Sequence, residues 1–250
     1  MYFSLQKSND GRKIARIKGG KLDKKNIYIS NTKGVKEIKI KDGILVPLPN
    51  RDIIEKVYIS APSNAGKSTY AGKWLGEYSK MFPDDDIYLF SSITKDKALD
   101  KYNPLRIILD NDLLNDPIEP KELQNSLVIF DDTDTIRNKK MKNYMEVLRD
   151  WLLEQGRHFN IRMLITSHLL SNYNSTRRIL NEATSVVVFP RSGSGTYHIK
   201  NFLKTYCGFD KDQTKKFLNL PSRWVAVYRS YPQYVIYEKG VYFPMNSDDV

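Results

Sequence analysis

Residues 57–70 read VYISAPSNAGKSTY, and the fold class can be inferred from this segment. Residues 57–60 are apolar, β-branched and aromatic except for a final serine, which predicts a short buried strand. Residues 61–68, APSNAGKS, follow as a loop of small residues, and from Thr69 apolar side chains recur at helical spacing. A strand, a small-residue loop ending in Gly-Lys-Ser and a helix together predict a phosphate-binding P-loop.

The chemistry of such a loop follows from its backbone and two side chains. Backbone N–H groups of the loop and of the helix N-terminus point at a phosphate, whose charge the helix dipole favours. We expect Lys67 to reach the β- and γ-phosphates of ATP and the Ser68 hydroxyl to bind Mg²⁺. The other residues of this predicted cofactor-binding loop are Ala61, Pro62, Ser63, Asn64, Ala65, Gly66 and Thr69.

One position departs from the usual P-loop pattern, because Ala61 stands where the first glycine is expected. This change removes backbone freedom at the entry of the loop but leaves Gly66, Lys67 and Ser68 in place. The alternative interpretation is a chance turn ahead of an ordinary helix. The strand before the loop and the helix after it argue against that alternative.

A second buried strand is predicted about 60 residues after Lys67, where LVIF (127–130) is followed by two acids. Asp131 and Asp132 would lie at the C-terminal edge of a parallel strand, where ligands bind in open α/β sheets. We expect Asp131 to hold Mg²⁺ and Asp132 to orient or deprotonate the attacking water, with Asp134 as a further candidate. A solvated acidic turn is the alternative.

The strand predicted at 161–165 ends in Thr166-Ser167-His168. In the ASCE division of P-loop enzymes, such a strand lies between the P-loop strand and the acidic strand. A polar group at its end can sense the γ-phosphate, and Ser167 and His168 are the candidates. His168 could equally be an ordinary histidine at a strand end.

Arg157 follows a predicted helix over 137–155 and its terminal Gly156. An arginine on this loop could neutralise charge on the transferring phosphoryl group, in its own subunit or in a neighbouring one. It could also cap the C-terminus of the helix, and the sequence does not decide between these roles.

Charge is distributed unevenly along the 250 residues. Residues 1–50 hold 12 Lys/Arg and 4 Asp/Glu, residues 51–190 hold 19 and 20, and residues 191–250 hold 9 and 5, which gives the net charge of +11. A neutral core with basic flanks indicates contact with a polyanion such as nucleic acid. A lysine-rich solvated surface is the alternative.

The predicted organisation is an α/β P-loop NTPase of the ASCE division with a mostly parallel central sheet flanked by helices. Residues 1–50 contain short runs in which apolar and polar residues alternate, separated by Gly-containing turns. This pattern predicts a small basic β-rich appendage. Residues 51–250 would form the ATPase domain, with a core at 51–190 and a C-terminal extension at 191–250 that contains a helical segment at 196–219 and a β-hairpin around Tyr231-Pro232. Further strands are predicted at 87–93 and 185–189.

Composition excludes several classes of protein. The single cysteine, Cys207, excludes an internal disulfide and a cysteine zinc cluster, and the three histidines lack metal-binding spacing. No apolar run approaches a membrane span, and no signal peptide is visible at the N-terminus. We therefore expect a protein without membrane contact.

Residues 51–190 resemble the FtsK–HerA-like packaging ATPases of large DNA viruses, the poxvirus type, which has relatives in giant viruses and virophages. The resemblance rests on APSNAGKS, LVIFDD and GRHFNIRMLITSH and on their order. The GRH loop followed by a strand with a polar end is its most family-specific part.

The resemblance implies ATP-driven threading of double-stranded DNA into a preformed capsid by a homo-oligomeric ring of five or six subunits. Capsid proteins at a portal or vertex would be partners, and the location would be the host cytoplasm, a virus factory or the virion. Asp131 and Asp132 would form the Walker B pair, and Arg157 resembles an arginine finger acting in trans. Relatives often carry Gln at the place of His168, which leaves the sensor assignment open. The candidate catalytic residues are Lys67, Asp132, Arg157 and His168.

Three other functions remain open from the residues alone. A helicase or conjugation-type DNA pump would share the ATPase chemistry. A nucleotide-dependent DNA-binding switch would bind ATP with little turnover, and a small-molecule kinase would leave the basic flanks unexplained.

Overall fold

A computed structural model describes residues 1–171, 173–192 and 196–244. Its strands in chain order are β1 (Tyr2–Ser4), β2 (Arg12–Lys18), β3 (Asn26–Ser30), β4 (Glu37–Lys39), β5 (Ile44–Pro47), β6 (Lys56–Ser60), β7 (Asp86–Ser91), β8 (Leu105–Ile107), β9 (Ser126–Asp131), β10 (Ile161–Ser167), β11 (Ser185–Val188), β12 (Val225–Tyr228), β13 (Tyr234–Tyr237) and β14 (Gly240–Tyr242). Its α-helices are α1 (Lys67–Met81), α2 (Asn111–Asn115), α3 (Lys139–Gln155), α4 (Tyr173–Glu182), α5 (Thr196–Cys207) and α6 (Lys211–Leu218).

Residues 51–184 form one compact unit built on a parallel sheet. The strand order in this unit is β6-β10-β9-β7-β8, and every pairing between these neighbours is parallel. Strand β10 therefore lies between the strand before the P-loop and the strand before the two acids. This order confirms the predicted α/β P-loop fold of the ASCE division.

The three strands β6, β10 and β9 of this sheet are mostly apolar because both of their faces are covered. Every residue of β6, β9 and β10 is buried. The register places Ser60 beside Ser167 and Ile165 beside Phe130. The loops that follow β6, β9 and β10 consequently meet at one edge of the sheet.

Residues 1–50 and the described residues from 185 to 244 form the second compact unit. It contains the sheet β1-β3-β2-β5 and the strands β4-β14-β13-β12-β11, and the pairings within these two sets are antiparallel. The boundary at residue 50 is the predicted one, but the described residues from 185 onward group with residues 1–50 and not with the P-loop unit as predicted. The cause is a long-range pairing in which Ile38 of β4 faces Val241 of β14.

The C-terminal region contains more elements than the sequence predicts. A single helical segment at 196–219 divides into α5 and α6, because Gly208 adopts φ 72° and Asp210 caps α6. The predicted hairpin around Tyr231-Pro232 is formed by β12 and β13, and β14 adds a third strand. Over the described residues, no helix combines the length and the apolar character that crossing a membrane requires.

Candidate functional site

The P-loop is shaped by two residues with left-handed backbone conformations. Gly66 adopts φ 104° at the N-cap of α1, a conformation that strains any residue with a Cβ atom. Asn64 adopts φ 64°, which asparagine tolerates better than most residues. The first N–H groups of α1 lack acceptors within the helix, so this loop and helix N-terminus can bind a phosphate.

Ala61, which departs from the usual pattern, fits its position without strain. Its side chain is buried, and its N–H donates a hydrogen bond to the carbonyl oxygen of Ser167 at 3.1 Å. Ala61 is not among the residues with positive φ, so glycine is not required there. The hydrogen bond joins the entry of the P-loop to the end of β10.

Asp131 is buried at the end of β9, and two hydroxyl groups hold its carboxylate. Thr166 Oγ1 donates to Oδ1 at 2.8 Å, and Ser91 Oγ donates to Oδ2 at 3.1 Å. Burial raises the pKa of the Asp131 carboxyl, the two hydrogen bonds oppose this change, and the neighbouring charge of Asp132 adds to it.

Asp132 connects the acidic strand to the P-loop. Its backbone is left-handed, with φ 49° and ψ 34°, which is uncommon outside glycine and often marks a functional position. The Lys67 ammonium donates to Asp132 Oδ1, and His168 Nε2 lies 3.2 Å from Oδ2. The Asp132 N–H donates to Thr166 Oγ1 at 3.0 Å, which fixes the backbone next to β10.

Asp134 organises the end of β10. Its Oδ2 accepts a hydrogen bond from Ser167 Oγ at 2.8 Å and one from the His168 N–H at 3.2 Å. The side chains of the two sensor candidates therefore contact different carboxylates. The Ser167 hydroxyl is turned to Asp134, whereas the His168 ring lies against Asp132.

Arg157 lies apart from these residues. It is exposed in the 3₁₀ turn Gly156–Phe159, which precedes β10, whereas the P-loop and the acids follow the carboxyl ends of β6 and β9. The seven residues of β10 separate the two edges by about 20 Å, which exceeds the length of an arginine side chain. The sheet therefore excludes contact between Arg157 and the P-loop of its own subunit in this arrangement.

Comparison with known proteins identifies one close viral relative, while a scan against protein-family models finds no match. "Uncharacterized protein V3" of Sputnik virophage is 37% identical over 244 residues, covering 96% of this chain and 98% of its own length. The chain belongs to the family of this virophage protein. The predicted relationship to a virophage protein is thereby confirmed.

Two solved structures are similar to this chain at low sequence identity, and the first of them supports the shared fold. The pCW3 conjugation coupling protein TcpA, solved with ATPγS, has a TM-score of 0.54 and 10% identity, covering 96% of this chain and 79% of its own. B204, the DNA-packaging ATPase of Sulfolobus turreted icosahedral virus, has a TM-score of 0.49 and 12% identity, covering 74% and 97%.

The oxygen groups at this site suit a magnesium nucleotide. Asp131 offers a carboxylate, and Ser68 is half-buried in the first turn of α1. Across the described ranges, no cluster of three or more His, Cys, Asp or Glu side chains could hold a metal alone. Mg²⁺ is commonly bound by one or two carboxylates together with substrate phosphates, so this donor set fits a cation that arrives with a nucleotide.

Two residues of the site were missed by the sequence interpretation. Ser91 is the last residue of β7 and Thr166 is the penultimate residue of β10, the two strands beside β9, and both side chains donate to Asp131. The signal was available, since a polar residue at the carboxyl end of a buried parallel strand was the criterion that selected Asp131 itself.

Proposed function

We propose that this protein is an ATPase that drives double-stranded DNA into a preformed viral capsid. The observation that carries the proposal is the contact of the P-loop lysine, Lys67, with Asp132 beside the buried Asp131, at the carboxyl edge of a parallel sheet. A P-loop lysine and two strand-end carboxylates are the groups that hydrolysis of a magnesium nucleotide requires. Membership of a virophage family supports the viral context.

Each side chain has a distinct role in this proposal. Lys67 would move its ammonium group from Asp132 to the β- and γ-phosphates of a bound nucleotide, and Ser68 and Asp131 would hold Mg²⁺. The transfer leaves Asp132 Oδ1 able to accept a hydrogen bond from the attacking water. When bound, Mg²⁺ would neutralise charge that develops on the phosphates.

His168 is the better sensor candidate in this proposal. Its ring contacts the carboxylate that would orient water, while the Ser167 hydroxyl is engaged by Asp134. We assign Asp134 a positioning role, because its carboxylate contacts the residues of the β10 end through Ser167 Oγ and the His168 N–H.

The proposed active assembly is a homo-oligomeric ring of five or six subunits. Since Arg157 lies at the opposite edge of the sheet from the P-loop of its own chain, a role in hydrolysis requires a second subunit. The basic flanks would contact the phosphates of double-stranded DNA without sequence preference. Capsid portal or vertex proteins would receive the DNA.

The decisive test is steady-state ATP hydrolysis with and without long double-stranded DNA. The proteins compared are the wild type, Lys67→Ala, Arg157→Ala and a one-to-one mixture of the two variants. Arg137→Ala is the matched control, because Arg137 is also exposed on a loop. An arginine finger contributes roughly 10³-fold or more to turnover, and Lys67 is the proposed phosphate-binding lysine. Both single variants should therefore be inactive, whereas the control should hydrolyse ATP.

The mixture separates the competing interpretations. Recovery of activity requires interfaces that pair an intact Lys67 with an intact Arg157 from another subunit, and we expect it. Normal hydrolysis by Arg157→Ala would make the arginine structural. Slow wild-type turnover without stimulation by DNA would replace the motor with a nucleotide-dependent switch.

A further inference from the structure

A basic groove lies between α5 and α6, far along the chain from the P-loop motifs. It has a volume of about 550 Å³. Two lysines of each helix line it, together with two apolar side chains, two neutral polar side chains and one carboxylate: Lys200, Lys204, Lys211, Lys215, Phe209, Leu218, Thr214, Asn219 and Asp210.

The four lysines of this groove carry positive charge that other side chains do not neutralise. All four are exposed, and across the described part of the chain none has a carboxylate within 4.0 Å of its ammonium nitrogen. Asp210 caps α6 by accepting a hydrogen bond from the Gln213 N–H at 2.8 Å. By contrast, Lys216 on the same helix lies 3.9 Å from Glu37 and stacks over the Tyr242 ring at 4.2 Å.

The spacing of these lysines matches a nucleic-acid backbone. Lys200 and Lys204 are four residues apart on α5, as are Lys211 and Lys215 on α6, which separates each pair by about 6 Å along its helix axis. Phosphates two steps apart on one DNA strand are separated by nearly the same axial distance, at about 3.4 Å for each step. Tyr197, which is 76% exposed, continues the face of Lys200 and Lys204, and tyrosine hydroxyls commonly donate to phosphates.

We propose that the groove between α5 and α6 is a contact surface for the sugar-phosphate backbone of double-stranded DNA. Four ammonium groups and one exposed aromatic ring suit a backbone, whereas single-strand binding relies on several stacking aromatic side chains. This inference deepens the proposed function and rests on it, because it gives the DNA a defined surface on each subunit.

The experiment compares DNA affinity across salt concentrations, using a fluorescent random-sequence duplex and the full chain. In the groove variant, all four lysines are replaced by alanine, which favours helix and should leave both helices intact. The control replaces Lys97, Lys101, Lys121 and Lys140, which are exposed and lie outside the two basic flanks, and it lowers the net charge by the same amount. A second groove variant with four Lys→Arg changes keeps the charge.

We expect the slope of log affinity against log salt to become shallower by about 0.9 for each lysine that contacts a phosphate. Affinity at about 0.1 M salt should fall at least tenfold in the alanine variant, while the control and the arginine variant stay near the wild type. Equal losses in the control and the alanine variant, or an unchanged slope in the alanine variant, would overturn the groove assignment. Absence of DNA binding by the wild type would instead refute the proposed function.

Discussion

Replacing Asp132 by asparagine should tighten ATP binding while abolishing hydrolysis. The Lys67 side chain is 7% exposed and that of Asp132 is 21% exposed, and their charged groups are in direct contact. Lys67 must leave this carboxylate before its ammonium can reach a phosphate. Nucleotide affinity therefore includes the cost of breaking the ion pair, and Asp132→Asn removes most of that cost.

The size of the effect follows from the burial of the pair. A hydrogen bond to a charged group contributes about 1.5–3 kcal/mol, and partial exposure of Asp132 places this one near the lower limit. Since about 1.4 kcal/mol corresponds to a factor of ten, ATP should bind roughly tenfold more tightly to the variant. Removing the Asp132 charge also removes its repulsion of the γ-phosphate, which acts in the same direction.

The assay is calorimetric titration with Mg–ATPγS, followed by separate measurement of ATP turnover. Asp116→Asn is the control. It also replaces one carboxylate by an amide, but Asp116 is exposed at the C-terminal end of α2 and is not the partner of Lys67. The control should match the wild type in both measurements. Unchanged or weaker nucleotide affinity in Asp132→Asn would refute the idea that the ion pair competes with the phosphates.

Two further predictions concern the buried acid and the P-loop glycine. Asp131→Asn should raise the free energy of unfolding at pH 7 by about 1 kcal/mol while abolishing Mg²⁺-dependent turnover, because it removes a buried charge from the site. Burial raises the pKa of Asp131 in the folded protein, so its carboxyl lowers stability as the pH rises from its ordinary value of 3.8 through the raised pKa. The gain measured by urea denaturation should accordingly shrink toward pH 4, and a gain independent of pH would contradict this account. Gly66→Ala should lose about 1–2 kcal/mol of stability and bind ATP more weakly, because a backbone φ of 104° strains alanine. The control variant Ala61→Gly should bind ATP like the wild type. Equal ATP affinity in all three proteins would contradict the role of Gly66.

Local sequence patterns predict the ATPase unit well. The P-loop and the strands around it are specified by short continuous runs, such as LVIF before Asp131-Asp132, whose apolar character reflects burial on both faces. The order β6-β10-β9 followed from the family resemblance and from the motif order. Strand propensity alone does not predict this order of strands.

The second unit could not be predicted in the same way. Residues of β4 are only half-buried or exposed and resemble other short strands of the first 50 residues, yet they pair with β14 about 200 residues later. A two-residue periodicity indicates which face of a strand is buried but not which strand lies beside it. The division of α5 from α6 depends on Gly208 and the capping of α6, which a periodicity window spanning both helices averages out.

The sequence predicts which residues belong to the candidate site, but not which of them contact each other. Asp132 and Lys67 were both selected from the sequence, but their direct contact depends on the left-handed backbone at Asp132. The sequence predicts Asp134 only as a further candidate beside Asp131 and Asp132. Its hydrogen bonds to Ser167 and His168 instead depend on how closely the turn after β9 approaches the end of β10.

The pairing of β4 with β14 has a consequence for synthesis on the ribosome. At about 5–20 residues per second, the roughly 200 residues between the two strands take about 10–40 s to emerge. The sheet β1-β3-β2-β5 is complete within the first 50 residues, but β4 must wait through that interval with its β14-facing edge uncovered. The parallel sheet of residues 51–184 can form during this delay. Strand β4 is therefore among the first strands to be synthesised and among the last to reach its native pairing.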